Sequence, residues 1–217
     1  TQTKLNEELI TINDWFQRLI HDLTQPLDLN LSLNNLNDIQ DSNLQLDASI
    51  DQRLIRFNQL FNDELKINNL NDKEIHERLN TLEELKHQVK THLKNRSDIL
   101  DETQQQMTEY IKLTNDVKTI ICDTDFKLAP FFDGYDRNRL DEHERELNTF
   151  EQICNEQTNR LVEAHKLVDI FRLHLRTNAK DLCDSQLRNF HQTIEDLETR
   201  IHQRRKELDE IRLKSDR

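Results

Sequence analysis

Residues 98–123 read DILDETQQQMTEYIKLTNDVKTIICD, and neither proline nor glycine interrupts them. Apolar side chains recur through this stretch at helical spacing, and the glutamines in it are good helix formers. Upstream, Asn71 can cap a helix and Glu74 can complete a capping box. We therefore predict one unbroken helix from about residue 72 to about residue 124, which at 1.5 Å per residue is roughly 80 Å long.

An imperfect internal repeat surrounds this predicted helix. Asn13-Asp14-Trp15 recurs as Asn115-Asp116-Val117, and the only two prolines, Pro26 and Pro130, are separated by a similar interval. The separation between matching residues is constant within each segment of the chain and increases only from one segment to the next. Equivalent helices joined by loops of different length would give this pattern. An internal repeat of this length indicates a chain built from copies of one structural unit. The sequence therefore predicts two copies of one module, residues 1–101 and residues 102–217.

The composition favours an all-α fold. Only 34% of the 217 residues are hydrophobic and 33% are charged, which suits a narrow apolar seam better than a large spherical core. One glycine and two prolines are too few for tight-turn β topologies. Each copy has three amphipathic segments that can bury their apolar stripes only against each other, with Trp15 and Phe16 among the expected core residues. We predict two tandem, left-handed three-helix bundles that share the long helix and form an elongated rod.

In these features the sequence resembles the spectrin-repeat family. The resemblance covers nearly the whole chain and rests on a module of about 106 residues, on Trp15 in the first helix, on the leucines of the second helix, and on the third-helix segments 77–82 and 203–208. Copy two has Val117 where the first-helix tryptophan would stand, and neither third helix contains tryptophan. The chain is therefore more similar to the divergent repeats of nesprins, spectraplakins and dystrophin-type rods than to conventional spectrin or α-actinin.

The resemblance implies a structural spacer segment within a large cytoskeletal linker or scaffold protein. Its partners would be the neighbouring repeats of the same chain, and the segment would be a monomer or a weak side-by-side dimer. Actin binding, microtubule binding or membrane attachment, at the nuclear envelope or the cell cortex, would belong to flanking segments, since a sequence beginning at Thr1 is expected to be a fragment. The alternative is a docking platform that binds an adaptor, signalling or cytoskeletal protein.

Two clusters are candidates for protein docking. The first is aromatic and lies in the loop that contains the second proline: Phe131, Phe132 and Tyr135. These side chains either close the end of the second bundle or form an exposed patch. The second cluster is basic and lies in the last helix: Arg200, Arg204 and Arg205. These arginines either bind an acidic partner or form a solvated face near a helix C-terminus, where cations are favourable.

The sequence offers no catalytic, cofactor or metal site. His76 and His143 each begin like a zinc-protease helix, but Asn80 and Leu147 stand where the second histidine is required. The set of cysteines is odd and widely spaced, which favours reduced thiols over disulfides: Cys122, Cys154 and Cys183. The last two fall at seam positions and are expected to be buried apolar side chains, with a redox or metal role as the alternative.

The charge balance restricts the partners. With 30 basic and 42 acidic residues the net charge is −12, so the chain repels phosphate backbones and anionic lipid. Nucleic acid is therefore not expected as a ligand. No apolar run is long enough to span a bilayer, so we expect no direct membrane insertion. Together with the reduced cysteines, these features predict a cytoplasmic protein without a cofactor, and the resemblance to spectrin repeats implies association with the cytoskeleton.

Overall fold

A computed structural model describes residues 2–68, 73–129 and 137–215. It contains five α-helices: α1 (Gln2–Thr24), α2 (Leu33–Asn68), α3 (Lys73–Leu128), α4 (Leu140–Phe171) and α5 (Thr177–Ser215). Short 3-10 turns precede and follow α4. No β-strand occurs in the part of the chain that is described. The predicted all-α fold class is confirmed.

Helix α3 is the longest element, with 56 residues from Lys73 to Leu128. The sequence predicts this helix from about residue 72 to about residue 124. Its buried positions follow two series with a spacing of seven residues. One series begins at Ile75 and includes Leu82, Val89, Thr103, Tyr110, Val117 and Thr124; the other includes Leu93, Leu100, Met107, Thr114, Ile121 and Leu128. Alternating steps of three and four residues are the heptad spacing of a coiled-coil seam, so α3 buries one face along its length.

The chain divides into two compact units, Thr1–Gln104 and Gln105–Arg217. The first unit contains α1, α2 and α3 as far as Gln104, and the second contains the remainder of α3 with α4 and α5. The heptad phase of α3 does not change at residues 104 and 105. The same set of helical positions is therefore buried in both units.

One hydrophobic cluster joins the three helical segments of the first unit. Its buried members come from α1 (Leu5, Leu9, Ile12, Phe16), from α2 (Ile50, Leu54, Phe57) and from α3 (Ile75, Leu82, Val89, Leu93). Trp15 is half-buried against this cluster, and its ring stacks on that of Phe16 with centroids 5.4 Å apart. The Arg53 guanidinium carbon lies 4.8 Å from the centre of the Trp15 ring, a cation–π arrangement. Phe16 is thus a core residue, whereas Trp15 lies at the edge of the core.

In the second unit, α3 contacts both of its partner helices through Tyr110. The Tyr110 ring meets the edge of Phe171 with centroids 5.8 Å apart, and its hydroxyl donates to Gln186 Oε1 at 3.1 Å. Burial raises the pKa of Tyr110, so the phenol stays protonated and keeps this hydrogen bond. Nearby, Arg172 holds Asp184 with two hydrogen bonds of 2.7 and 2.8 Å. Tyr110 thus joins α3 to the end of α4 and to α5, and Arg172 joins the turn after α4 to α5.

Candidate functional site

Two of the three basic candidates pair with acidic or polar side chains of other helices in the second unit. Arg200 on α5 forms an ion pair with Asp125 near the end of α3. Arg205 donates to Asn148 Oδ1 at 2.7 Å and to Glu151 Oε2 at 2.8 Å, both on α4. Arginine binds carboxylates through a planar fork of donors, which suits such contacts between helices. The charges of these two arginines are therefore balanced by carboxylates of the same unit.

Arg204 is placed differently from its two neighbours. Its side chain is buried, with 8% of the residue exposed, and it forms an ion pair with Glu207 one turn later in α5. A guanidinium at this depth presents little of its charge to a protein arriving from solvent. Arg200, Arg204 and Arg205 lie on one helix, but each forms an ion pair with a different carboxylate.

Arg212, which was not among the candidates predicted from the sequence, continues the contact between α4 and α5. Arg212 pairs with Asp141 and with Glu144, the latter at 2.6 Å, and the hydrogen bond to Glu144 raises the pKa of Arg212. Arg212 follows Arg205 by seven residues, and their partners on α4 also differ by seven. This heptad spacing could have been recognised, but the pairing itself depends on the register between the two helices. The basic residues of α5 thus fasten it to α4.

The three aromatic candidates, Phe131, Phe132 and Tyr135, lie outside the described residues. The last described apolar residue before them in helix α3, Leu128, is fully buried. Phe126, two residues earlier, is 79% exposed. The interpretation of the loop as a docking patch therefore stays a prediction.

The buried cysteines are poorly suited to thiol chemistry. Burial raises the pKa of Cys154 to about 11, and it also raises the pKa of Cys183. The thiolate is the reactive form of cysteine and the form that binds metals, so both thiols are held in their unreactive state. They act as small apolar side chains in the core of the second unit. Cys122 is exposed.

A groove beside Trp15 combines aromatic, charged and polar side chains. It is lined by Glu8, Trp15, Ser49, Gln52, Arg53 and Arg56. Ser49 donates its hydroxyl to the Gln45 carbonyl at 2.9 Å rather than to a base, and Arg53 lies 4.0 Å from Glu8. A serine nucleophile requires a base within hydrogen-bond reach. The groove lacks that arrangement, and its contacts join α1 to α2.

The described part of the chain contains no group of three or more histidine, cysteine, aspartate or glutamate side chains that could hold a metal ion. His143 lies beside Glu146 of its own helix, with 3.5 Å between Nδ1 and Oε2. Within the same residues, no helix has the length and apolar character needed to cross a membrane. Comparisons with protein-family models, with curated proteins and with solved structures found no match.

Proposed function

We propose that this chain is a structural spacer, a segment that sets a distance and carries tension within a larger cytoskeletal linker or scaffold protein. In this proposal each unit is a left-handed three-helix bundle similar to a spectrin repeat, and α3 joins the two bundles into an elongated rod. The main support is that buried heptad positions continue across residues 104 and 105, from Leu100 and Thr103 to Met107 and Tyr110. A repeat of this kind contacts mainly its neighbours in the array. We therefore assign it a mechanical role rather than the binding of a ligand in a pocket.

Helix α3 suits the transmission of force. Its 56 residues would extend about 84 Å if the helix were straight. Between its first and last turns, each residue is held by backbone hydrogen bonds to the preceding and following turns, so bending the helix sharply at the division requires breaking several of them. Because the helix contributes to the cores of both units, a load applied to one unit would reach the other through its backbone.

Polar contacts also fasten α2 to the part of α3 that approaches the division. Gln40 Nε2 donates to Asp101 Oδ1 at 2.6 Å, and Gln104 Nε2 donates to Asn37 Oδ1 at 2.7 Å. Further along the same pair of helices, Lys90 lies 2.6 Å from Asp47 and 2.7 Å from Asp51. Such exposed or half-buried contacts are individually weak. Spread along two helices, they oppose sliding of α2 past α3, which is the displacement that tension would produce.

The spacer explains the basic residues of α5 better than a docking platform does. A platform for an acidic partner requires guanidinium groups whose charge is available to that partner. Arg200, Arg204 and Arg205 instead pair with carboxylates of their own unit. In the spacer these ion pairs hold α5 in register with its neighbours.

Single-molecule stretching tests this function. The chain is pulled from its two ends in optical tweezers. We expect unfolding in abrupt events, with both units often released together, because tension and unfolding pass through α3. Each unit should release about 300 Å, and a joint event about 600 Å. Gradual lengthening without events, or two units that always unfold independently, would contradict a load-bearing spacer.

A further inference from the structure

Two histidines from different helices of the second unit lie face to face. His165 on α4 and His191 on α5 have ring centroids 5.5 Å apart and an angle of 29° between the ring planes. His165 is exposed, and His191 is half-buried. Because the two residues are far apart in the sequence and lie on separate helices, no helical spacing rule could have paired them. The contact depends on the register of α5 against α4, which the pair of Arg205 and Glu151 also reflects.

We propose that His165 and His191 form a binding site for a divalent cation of intermediate softness, such as Zn²⁺, which would link α4 to α5. Histidine nitrogens bind Zn²⁺ at about 2.0–2.1 Å, so two imidazoles on one tetrahedral ion have ring centres about 5 Å apart. The observed separation is close to that value. The rings are stacked, so one must turn to aim its nitrogen at a shared ion. The exposed His165 has the freedom to do so.

The surroundings of the pair determine the class of ligand. Neutral imidazole is the form that binds metals, and it suits zinc, copper and nickel rather than magnesium or calcium. No third histidine, cysteine or carboxylate completes the set among the residues that the structure places. Water would fill the remaining positions, and the ion would bind more weakly than at a site with four protein ligands.

The test is thermal unfolding of the full chain with and without ZnCl₂, with the exposed Cys122 replaced by serine in every variant. A ligand that binds only the folded state stabilises it by mass action. At ten times the dissociation constant, the folding equilibrium should shift about elevenfold, which raises the Tm of the coupled chain by about 3–6 °C. Cys122→Ser alone should show this rise. His165→Gln and His191→Gln should each abolish it.

His202→Gln is the matched control, because His202 is a second histidine on α5 and is exposed. It should keep the full response to Zn²⁺. Circular dichroism without the metal establishes that every variant is folded, and titration calorimetry with ZnCl₂ alone measures binding directly. Two results would overturn the site: no binding or Tm rise in the Cys122→Ser chain, or an equal response in the His165→Gln and His191→Gln chains.

Discussion

Replacement of Gln105 by proline is expected to split the unfolding of the chain into two transitions. Gln105 is exposed, and it lies in α3 immediately after the division between the two units. Proline within a helix removes a backbone hydrogen bond and clashes with the preceding turn, at a cost of about 3 kcal/mol or more. The exposed side chain contributes little to packing. The substitution therefore acts on the continuity of the helix rather than on either core.

Two probes separate the responses of the units. Trp15 is the only tryptophan and belongs to the first unit, so its fluorescence follows that unit, whereas circular dichroism follows the helices of both. During unfolding in urea, the fluorescence curve and the circular dichroism curve of the parent chain should coincide. Those of Gln105→Pro should separate, and those of Gln105→Ala should coincide again, because alanine is compatible with a helix. Coincident curves with an unchanged midpoint in Gln105→Pro would show that the helix does not couple the units.

Phe57→Ala should cause a large loss of stability in the first unit. Phe57 is 2% exposed, belongs to the cluster that joins α1, α2 and α3, and stacks on Phe61 with centroids 6.2 Å apart. Truncating a buried phenylalanine costs about 3–5 kcal/mol, because the side chain no longer leaves water on folding and a cavity remains. The change should appear as a lower urea midpoint in Trp15 fluorescence.

Ile55 provides the control for this measurement. It lies two residues earlier on the same helix, but it is 57% exposed. Ile55→Ala should change the free energy of unfolding by no more than about 0.5 kcal/mol, as is usual for surface substitutions. If the two variants lost similar stability, the assignment of the α2 face that packs in the core would be wrong.

The helices were largely predictable because each depends on local spacing. Apolar residues recur at helical spacing from Leu5 to Leu23, and proline follows at position 26, where a helix is disfavoured. The observed α1 ends at Thr24. The apolar rhythm before and after the three glutamines predicts a long central helix, and α3 covers that stretch. These helices could be predicted because an amphipathic helix repeats its buried positions along a single stretch of chain.

The side-chain pairs were not predictable in the same way. The basic residues of α5 are visible as a sequence run, but Asp125 and Glu151, which neutralise two of them, lie on other helices. Likewise, Lys90 and Asp47 meet only because α2 and α3 pack in one register. A shift of either helix by one turn would give different partners. Sequence periodicity predicts which face of each helix is buried, but it does not determine the register between two helices.

Small-angle X-ray scattering of the monomer is the most direct measurement of the proposed rod. If α3 runs straight from one bundle into the other, the particle should be about 100 Å long, with a radius of gyration of about 29 Å. A compact globule of 217 residues would have a radius of gyration of about 17 Å. A value near the larger figure, with an elongated distance distribution, is the predicted result. A value near the smaller one would contradict the spacer.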